Sequence, residues 1–400
     1  MSKNTLVLGT GMMGSIIPPI IRQAGGEVVG ILGSSKKRTE DYLDRTNLPN
    51  IDERLVGTFE DYDKILTEHG DAIDIVAVLL PNFMHIEYGT KAAQNGKHIL
   101  IEKPLATTVE DGKEFLDTVV EAEVAAEINS LYRHHELLDQ TLKEMIKTEE
   151  LGAPLRVKMK YLQGWQDNPS SDIGWRPVVE IAGRGKLVGD LGAHVIQTAL
   201  HLFGGRFNQF EGTTYNVFPV RYKMKKGNVG TFGAGEVPSY AERPDFYEEM
   251  DMLSEEYSGD DIASARFVLD TERGHQVEGA YFLSQVATGH ENDFSIEIEF
   301  EKGEVSWREE EPNYLLVNRF FGAPQRIERN SAPSISGRPG GHPHGYGDAM
   351  LIEVLKMFDV IDSGDNERIR AYSEKNIGDA VQAMQLLEQW VAEPPIPYDR

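Results

Sequence analysis

"NTLVLGTGMMGSIIPPIIRQAGGEVVGILGSS" occupies residues 4–35 and reads as strand, glycine turn, helix, strand. Thr5–Leu8 is a short run of β-forming residues. Gly9, Gly11 and Gly14 follow in GxGxxG spacing, with Met12 and Met13 between the last two. A helix is expected over Gly14–Gln23, confined or kinked by Pro18 and Pro19, and a second strand over Glu27–Leu32. GxGxxG alone is a weak signal. Placed after a strand, at the mouth of a helix and within about 30 residues of a second strand, it predicts a dinucleotide-binding turn. Gly9 then serves the tight turn, Gly11 the close approach of a pyrophosphate, and Gly14 the packing of helix on strand. Free N–H groups at the helix N-terminus suit the anion.

The same rhythm continues outward. "DAIDIVAVLLP" (71–81) and "HILIEKP" (98–104) read as buried strands, and "HIEYGTKAAQNG" (85–96) and residues 108–124 as helices. Alternating strands and helices predict a parallel sheet with helices on both faces. After about residue 128 the pattern changes to closely spaced strands, at 154–165, 207–218, 263–270, 277–287, 294–307 and 313–320. These predict a large, mainly antiparallel sheet. Residues 236–261 carry ten acids and one arginine and are expected to form a surface or mobile insertion; 330–347 reads as a loop before two closing helices. The expected division is an α/β dinucleotide-binding domain over 1–128 and an α+β domain over 129–400.

A chain of 400 residues with 40% hydrophobic content suits two domains. It has no apolar run of membrane length and no basic segment leading into an apolar one at its start. Cysteine is absent, which excludes disulfides, thiolate metal sites and a cysteine nucleophile. A cytoplasmic setting is expected. The net charge of −25 disfavours nucleic acid and anionic membranes as partners. An anionic cofactor therefore needs a local basic pocket.

The end of the second strand offers one. NAD-preferring folds usually place Asp or Glu there for the adenosine ribose. Here Gly33 holds that place, followed by Ser34, Ser35, Lys36, Lys37 and Arg38. Hydroxyls and cations suit a 2′-phosphate, so NADP is favoured and NAD is possible. Gly33→Asp is the expected switch toward NADH.

"LIEKPLA" (100–106) stands at the C-terminal end of a parallel strand, the ligand edge of such sheets, so Lys103 is expected on a stiff turn facing the crevice. In "GDLGAHVIQTALHLFG" (189–204), Asp190 and His194 stand one helical turn apart, on one face. His134, His135, His201, His342 and His344 read as loop or helix-surface histidines. No HxxxH pair comes with matching carboxylates, so no metal is expected.

GTGMMG, LPNFMH (80–85), EKPLA and GDLGAH, in that order and spacing, resemble the Gfo/Idh/MocA family of glucose–fructose oxidoreductase and inositol dehydrogenase. Residues 174–194, 307–317 and 340–349 resemble its sugar- and cyclitol-oxidising branch. The resemblance implies an N-terminal Rossmann domain, a C-terminal domain with a large open sheet, and an active site in the cleft between them. It implies hydride transfer between a nicotinamide and the secondary alcohol or ketone of a sugar, polyol or cyclitol. It gives Lys103, Asp190 and His194 as the catalytic set. Pro81, Asn82, His85, Glu102, Trp175 and Arg176 fall on the cofactor side. Arg133, His342 and Tyr346 join the catalytic set as substrate contacts. Gln197 departs from the acid that the family often carries three residues after the histidine. Two other readings share the cofactor: a glycosidase working through transient oxidation, and an NADP(H)-binding protein without turnover. The intact catalytic set argues against the last. A homodimer or homotetramer is expected, partly because the alternating apolar residues of 277–287 and 294–300 need cover.

Overall fold

The computed structural model describes residues 3–168, 185–219, 259–329 and 342–397, with residue 337 and the backbone of 222–223 and 251–252. The chain packs as two compact units. The first is Met1–Thr141 with Arg329–Met384; the second is Leu142–Glu328 with Gln385–Arg400. A single cut at 128/129 misses the return of the C-terminal helices to the first unit. Ile377, Ala380, Val381 and Met384 share one core with Leu6, Val76, Ile99 and Phe115. Ser373 Oγ also accepts from the Ala126 N–H at 2.9 Å and donates to the Val124 carbonyl at 2.8 Å.

The first unit holds a parallel sheet of β1 (Asn4–Leu8), β2 (Glu27–Gly33), β3 (Val56–Thr58), β4 (Ile75–Val78), β5 (His98–Glu102) and β6 (Ala126–Asn129). Their order is 3-2-1-4-5-6, with every pair parallel. Helices α1 (Met12–Gln23), α2 (Lys36–Thr46), α3 (Tyr62–His69), α4 (His85–Gln94) and α5 (Val109–Glu121) make the crossovers. β4 is apolar throughout, as are Leu6–Leu8 of β1 and Ile99–Ile101 of β5, because helices cover both faces. The strand order reverses between β1 and β4, and the ligand crevice of such a sheet lies outside the carboxyl ends at that point. Pro18 and Pro19 do not break α1, which starts two residues earlier than expected. Pro18 lacks the N–H that would bond the Gly14 carbonyl. The buried Tyr42 hydroxyl donates to that carbonyl instead, at 2.5 Å.

In the second unit α6 (Lys143–Thr148) precedes β7 (Pro154–Leu162); α7 (Ala193–Phe203) and β8 (Arg206–Asn216) follow. β9 (Tyr222–Lys223) and β10 (Asp251–Met252) form a separate short pair. The remaining strands are β11 (Ile262–Asp270), β12 (Gln276–Ser284), β13 (Asp293–Phe300), β14 (Gly303–Arg308), β15 (Tyr314–Arg319), β16 (Gln325–Glu328) and β17 (Ile396–Pro397). They make one nine-stranded sheet in the order 16-15-14-13-7-12-11-8-17, antiparallel except at β7·β12 and β8·β17. The run 294–307 is therefore a hairpin that turns at Glu301–Lys302.

Val277, Tyr281, Leu283, Phe294, Ile296, Ile298 and Phe300 are all buried within the chain itself. They need no second copy to cover them, so that argument for an oligomer falls. The alternate positions carry a cross-strand charge ladder: Arg156 to Glu278 and Glu299 at 3.3 and 3.2 Å, and Lys158 to Glu299 at 3.0 Å. Exposed pairs of this kind hold register more than they add stability. Of the expected surface insertion 236–261, Asp260 and Asp261 are buried, and residues 236–250 and 253–258 lie outside the described residues. The chain closes with α8 (Tyr346–Ser363) and α9 (Asn366–Trp390). No helix among the described residues is long and apolar enough to cross a membrane.

Candidate active site

The three glycines of the first turn stand in three different environments. Gly9 has φ +118°, and a Cβ there would lie 2.3 Å from the Leu79 carbonyl oxygen. A Cβ on Gly14 would lie 2.2 Å from the Gly9 oxygen, so helix and strand meet backbone to backbone. A Cβ on Gly11 would meet nothing within 4 Å. Gly11 is also the N-cap of α1, and no described side chain caps that helix. Open space over uncapped N–H groups is what an approaching anion requires. Tyr346, expected at the substrate, places its hydroxyl 3.8 Å from Met13 Sδ, beside this turn. His342 is exposed, and its carbonyl accepts from Arg329 at 2.8 Å.

Gly33 ends β2 for a packing reason. A Cβ there would lie 2.5 Å from Thr39 Oγ1, which donates to the Gly57 carbonyl at 2.9 Å. A side chain there needs the Thr39 hydroxyl to give way, so Gly33→Asp would disturb packing as well as cofactor choice. Ser35 is the N-cap of α2, accepting the Arg38 N–H at 3.3 Å. Ser34, Lys36, Lys37 and Arg38 are exposed around it, and the first turn holds no acid.

Two further turns leave the same edge. Pro81 caps the 3₁₀ turn Asn82–Met84, with Asn82 buried. Lys103 follows β5 and is joined to Pro104 by a cis peptide. His85 lies fully buried between these turns: Nδ1 is 2.9 Å from the Pro104 carbonyl oxygen and Nε2 is 2.7 Å from that of Leu80. Burial above all lowers its pKa, so the ring is neutral and donates to one of the two. Both nitrogens are thus turned to backbone, and His85 ties the LPN turn to the Lys103 turn instead of reaching a dinucleotide. Glu102 is buried and accepts from Asn129 Nδ2 on the neighbouring strand.

Arg133 is not placed for substrate. It is buried, and its Nη2 donates to Glu127 and to the Ile128 carbonyl, the latter at 3.1 Å. His134, His135 and His344 are also buried, not surface residues. Burial above all lowers His134 to about 4 and His135 to about 3. Side chains close enough to share a cation occur twice among the described residues, at Glu127, His134 and Glu353 and at His290, Asp293 and Glu310. Arg133 pairs with the first group and Arg308 with the second, at 2.6 Å from Asp293.

The two buried histidines make stability pH-dependent. Each stays neutral when folded and takes a proton on unfolding at its ordinary value near 6.5, so stability present at pH 7 is lost as pH falls from about 6.5 toward 4. The loss is about 2 kcal/mol per histidine by pH 5. Thermal melts should show Tm lower by about 5–10 °C at pH 5 than at pH 7.5. An equal or higher Tm at pH 5 would refute the neutral buried pair.

In the second unit the GDLGAH stretch is not a helix start. The helix is already under way at Lys186, passes through a π turn at Val188–Gly192 and continues as α7. Its first N–H groups, of Leu187 and Val188, are accepted by Asp260 at 3.0 and 2.9 Å. Asp190 is therefore not the cap. It sits half-buried inside the π turn and accepts from Gln285 Nε2 at 2.9 Å. π turns within helices recur at functional sites, and nothing in the spacing announced this one. His194 is buried, its ring 5.9 Å from that of Tyr161. Gln197 is buried in the same helix. Behind the turn, the buried Lys186 pairs with Asp261 at 3.2 Å and donates to Gln166. Asp261 in turn accepts from the N–H groups of Val217 and Phe218 at 2.9 and 3.0 Å. Sequence reasoning missed this block because its acid lies in a segment that reads as surface. Trp175 and Arg176 lie outside the described residues.

Comparison with known proteins agrees with this geometry. Residues 3–130 match the model of an oxidoreductase family with an NAD-binding Rossmann fold, and residues 140–306 match the Gfo/Idh/MocA C-terminal domain. The chain is 28% identical over 341 residues to levoglucosan dehydrogenase of Pseudarthrobacter phenanthrenivorans, covering 81% of each. It is 32% identical over 136 residues to scyllo-inositol 2-dehydrogenase (NADP(+)) of Bacillus subtilis, covering 33% of this chain and 36% of that one. An inositol dehydrogenase homologue from Azotobacter vinelandii, solved with NADH and myo-inositol, superimposes with a TM-score of 0.74 at 20% identity, over 98% of this chain and 95% of that one. Matched in order by both domain models of one family, with the glycine turn built as that family's fold requires, the chain belongs to the Gfo/Idh/MocA oxidoreductases.

Proposed function

We propose that the protein is an NAD(P)-dependent dehydrogenase that oxidises a CH–OH group of a sugar, polyol or cyclitol, with NADP(H) preferred. The observation that carries this reading is the open Gly11 at an uncapped helix N-terminus, on the ligand edge of a doubly wound sheet. When bound there, the nicotinamide supplies the hydride acceptor. The chain's own groups supply the rest. Lys103 donates to the substrate hydroxyl and stabilises developing alkoxide charge. His194, an imidazole one helical turn beyond Asp190, takes the hydroxyl proton as general base. Asp190 orients the imidazole and favours its charged form. Screening sugars and inositols with the purified protein and NADP⁺, at the nicotinamide absorbance, tests the reading; no turnover on any of them would overturn it. A cytoplasmic dimer or tetramer, indifferent to nucleic acid and membranes at its net charge of −25, belongs to the same reading.

Cofactor preference rests on α2. A glycine in place of an acid at position 33, two serines and three cations around a helix N-terminus all suit a 2′-phosphate. NADPH is expected to bind about 10- to 1000-fold tighter than NADH, the range given by one or two charge-assisted bonds. Ser34→Asp, at an exposed position, should remove most of that preference. Fluorescence titration with both reduced cofactors decides; equal or tighter NADH binding to the native protein refutes it.

A further inference from the structure

We infer that Gln285 is a positioning residue that holds the Asp190 carboxylate in its working orientation. The inference rests on the reading of Asp190 as part of the catalytic set. Gln285 follows β12 and is fully buried. Its backbone is held from both sides: its N–H donates to the Asp261 carbonyl, and its carbonyl accepts from the Gln166 N–H, each at 3.1 Å. Those two neighbours are the same residues that engage the buried Lys186. The Gln285 side chain is thus mounted on a rigid polar block. From there Nε2 donates to Asp190 Oδ2 at 2.9 Å.

The chemistry of this bond is directional. An amide N–H₂ has only protons to offer a carboxylate, so the contact favours the ionised acid. It also fixes a side chain that the π turn leaves half-buried. A carboxylate meant to orient an imidazole needs both: charge, and one rotamer. A glutamine just beyond the end of β12 supplies them without a second charge in the site.

A double-mutant cycle tests the assignment, using the best sugar or inositol substrate from the screen and NADP⁺. Gln285→Met keeps the volume and removes the donor. It should lower kcat by about 10-fold while KM changes less than about twofold, because orientation matters most in the transition state. In an Asp190→Ala background the same change should lower kcat by less than about twofold further. Equal losses in both backgrounds would overturn the proposal, since Gln285 would then act independently of Asp190. Native kcat in Gln285→Met would also overturn it. Native kcat in Asp190→Ala would sink the reading of Asp190 itself, and the positioning role with it. Thermal melts and NADPH titration separate a folding defect from a rate effect. If the methionine variant does not fold, Gln285→Leu also removes the donor without adding a charge and must give the same coupled loss.

Discussion

His194→Ala is expected to lower kcat by about 10²–10⁴-fold, the range for a general base, while NADPH affinity stays within about twofold. Taking hydride from an alcohol leaves a carbonyl whose oxygen still carries a proton, and that proton needs an acceptor. His194 is the histidine of the GDLGAH motif, one turn beyond Asp190. It lies in α7 of the second unit, whereas the glycine turn and α2 belong to the first. The substitution leaves the residues of that turn and of α2 unchanged. His194 is also buried beside Tyr161, so truncation opens space in that unit. His194→Gln fills most of that space without a base. A rate loss shared by both variants, with Tm near native in the glutamine form, marks a base. Native turnover in either variant would show that the proton goes elsewhere.

Much of the first unit was legible because its signals are local. Gly9, Gly11 and Gly14 stand out by spacing alone, and each has its own surroundings: close backbone at Gly9 and Gly14, open space at Gly11. The strands at 75–78 and 98–102 are short apolar runs bounded by turns, and they appear where expected. What escaped depends on distant partners. Pro18 looks like a helix breaker until Tyr42, 24 residues on, supplies the missing donor to Gly14. Asp260 and Asp261 look like surface acids until Leu187, Val188 and Lys186 are seen to need them. His134, His135 and Arg133 are polar on paper and buried in fact, because Glu127 and the packing of α8 surround them. The return of 329–384 to the first unit carries no motif; only the shared core with Ile377 and Met384 reveals it. In the second unit the strand alternation was readable, but the π turn around Asp190 was not. Residues 189–192 carry the composition of a turn and are held in a helix by contacts from β12 and α9.

Lys103→Ala should lower kcat by about 10²-fold or more, with a smaller rise in KM, if the ammonium chiefly stabilises charge that develops at the substrate oxygen. The lysine stands at the C-terminal end of β5, on a turn held from behind by the buried His85. That mounting limits the freedom of the backbone from which the side chain extends, and preorganised donors are the ones that accelerate reactions. An ammonium hydrogen-bonds a neutral hydroxyl modestly and an incipient alkoxide strongly, so its loss falls on the transition state more than on the bound substrate. Removing uniform binding would raise KM and leave kcat alone. The split between the two constants is therefore the measurement. A large KM rise with native kcat would mark Lys103 as a binding residue only. Lys103→Arg sharpens the test: it keeps the charge but offers a broad, planar fork in place of a compact donor. It should recover only part of the rate, because the oxygen to be stabilised is a single point. Full recovery by arginine would mean that positive potential alone suffices and that the placement of the ammonium contributes nothing.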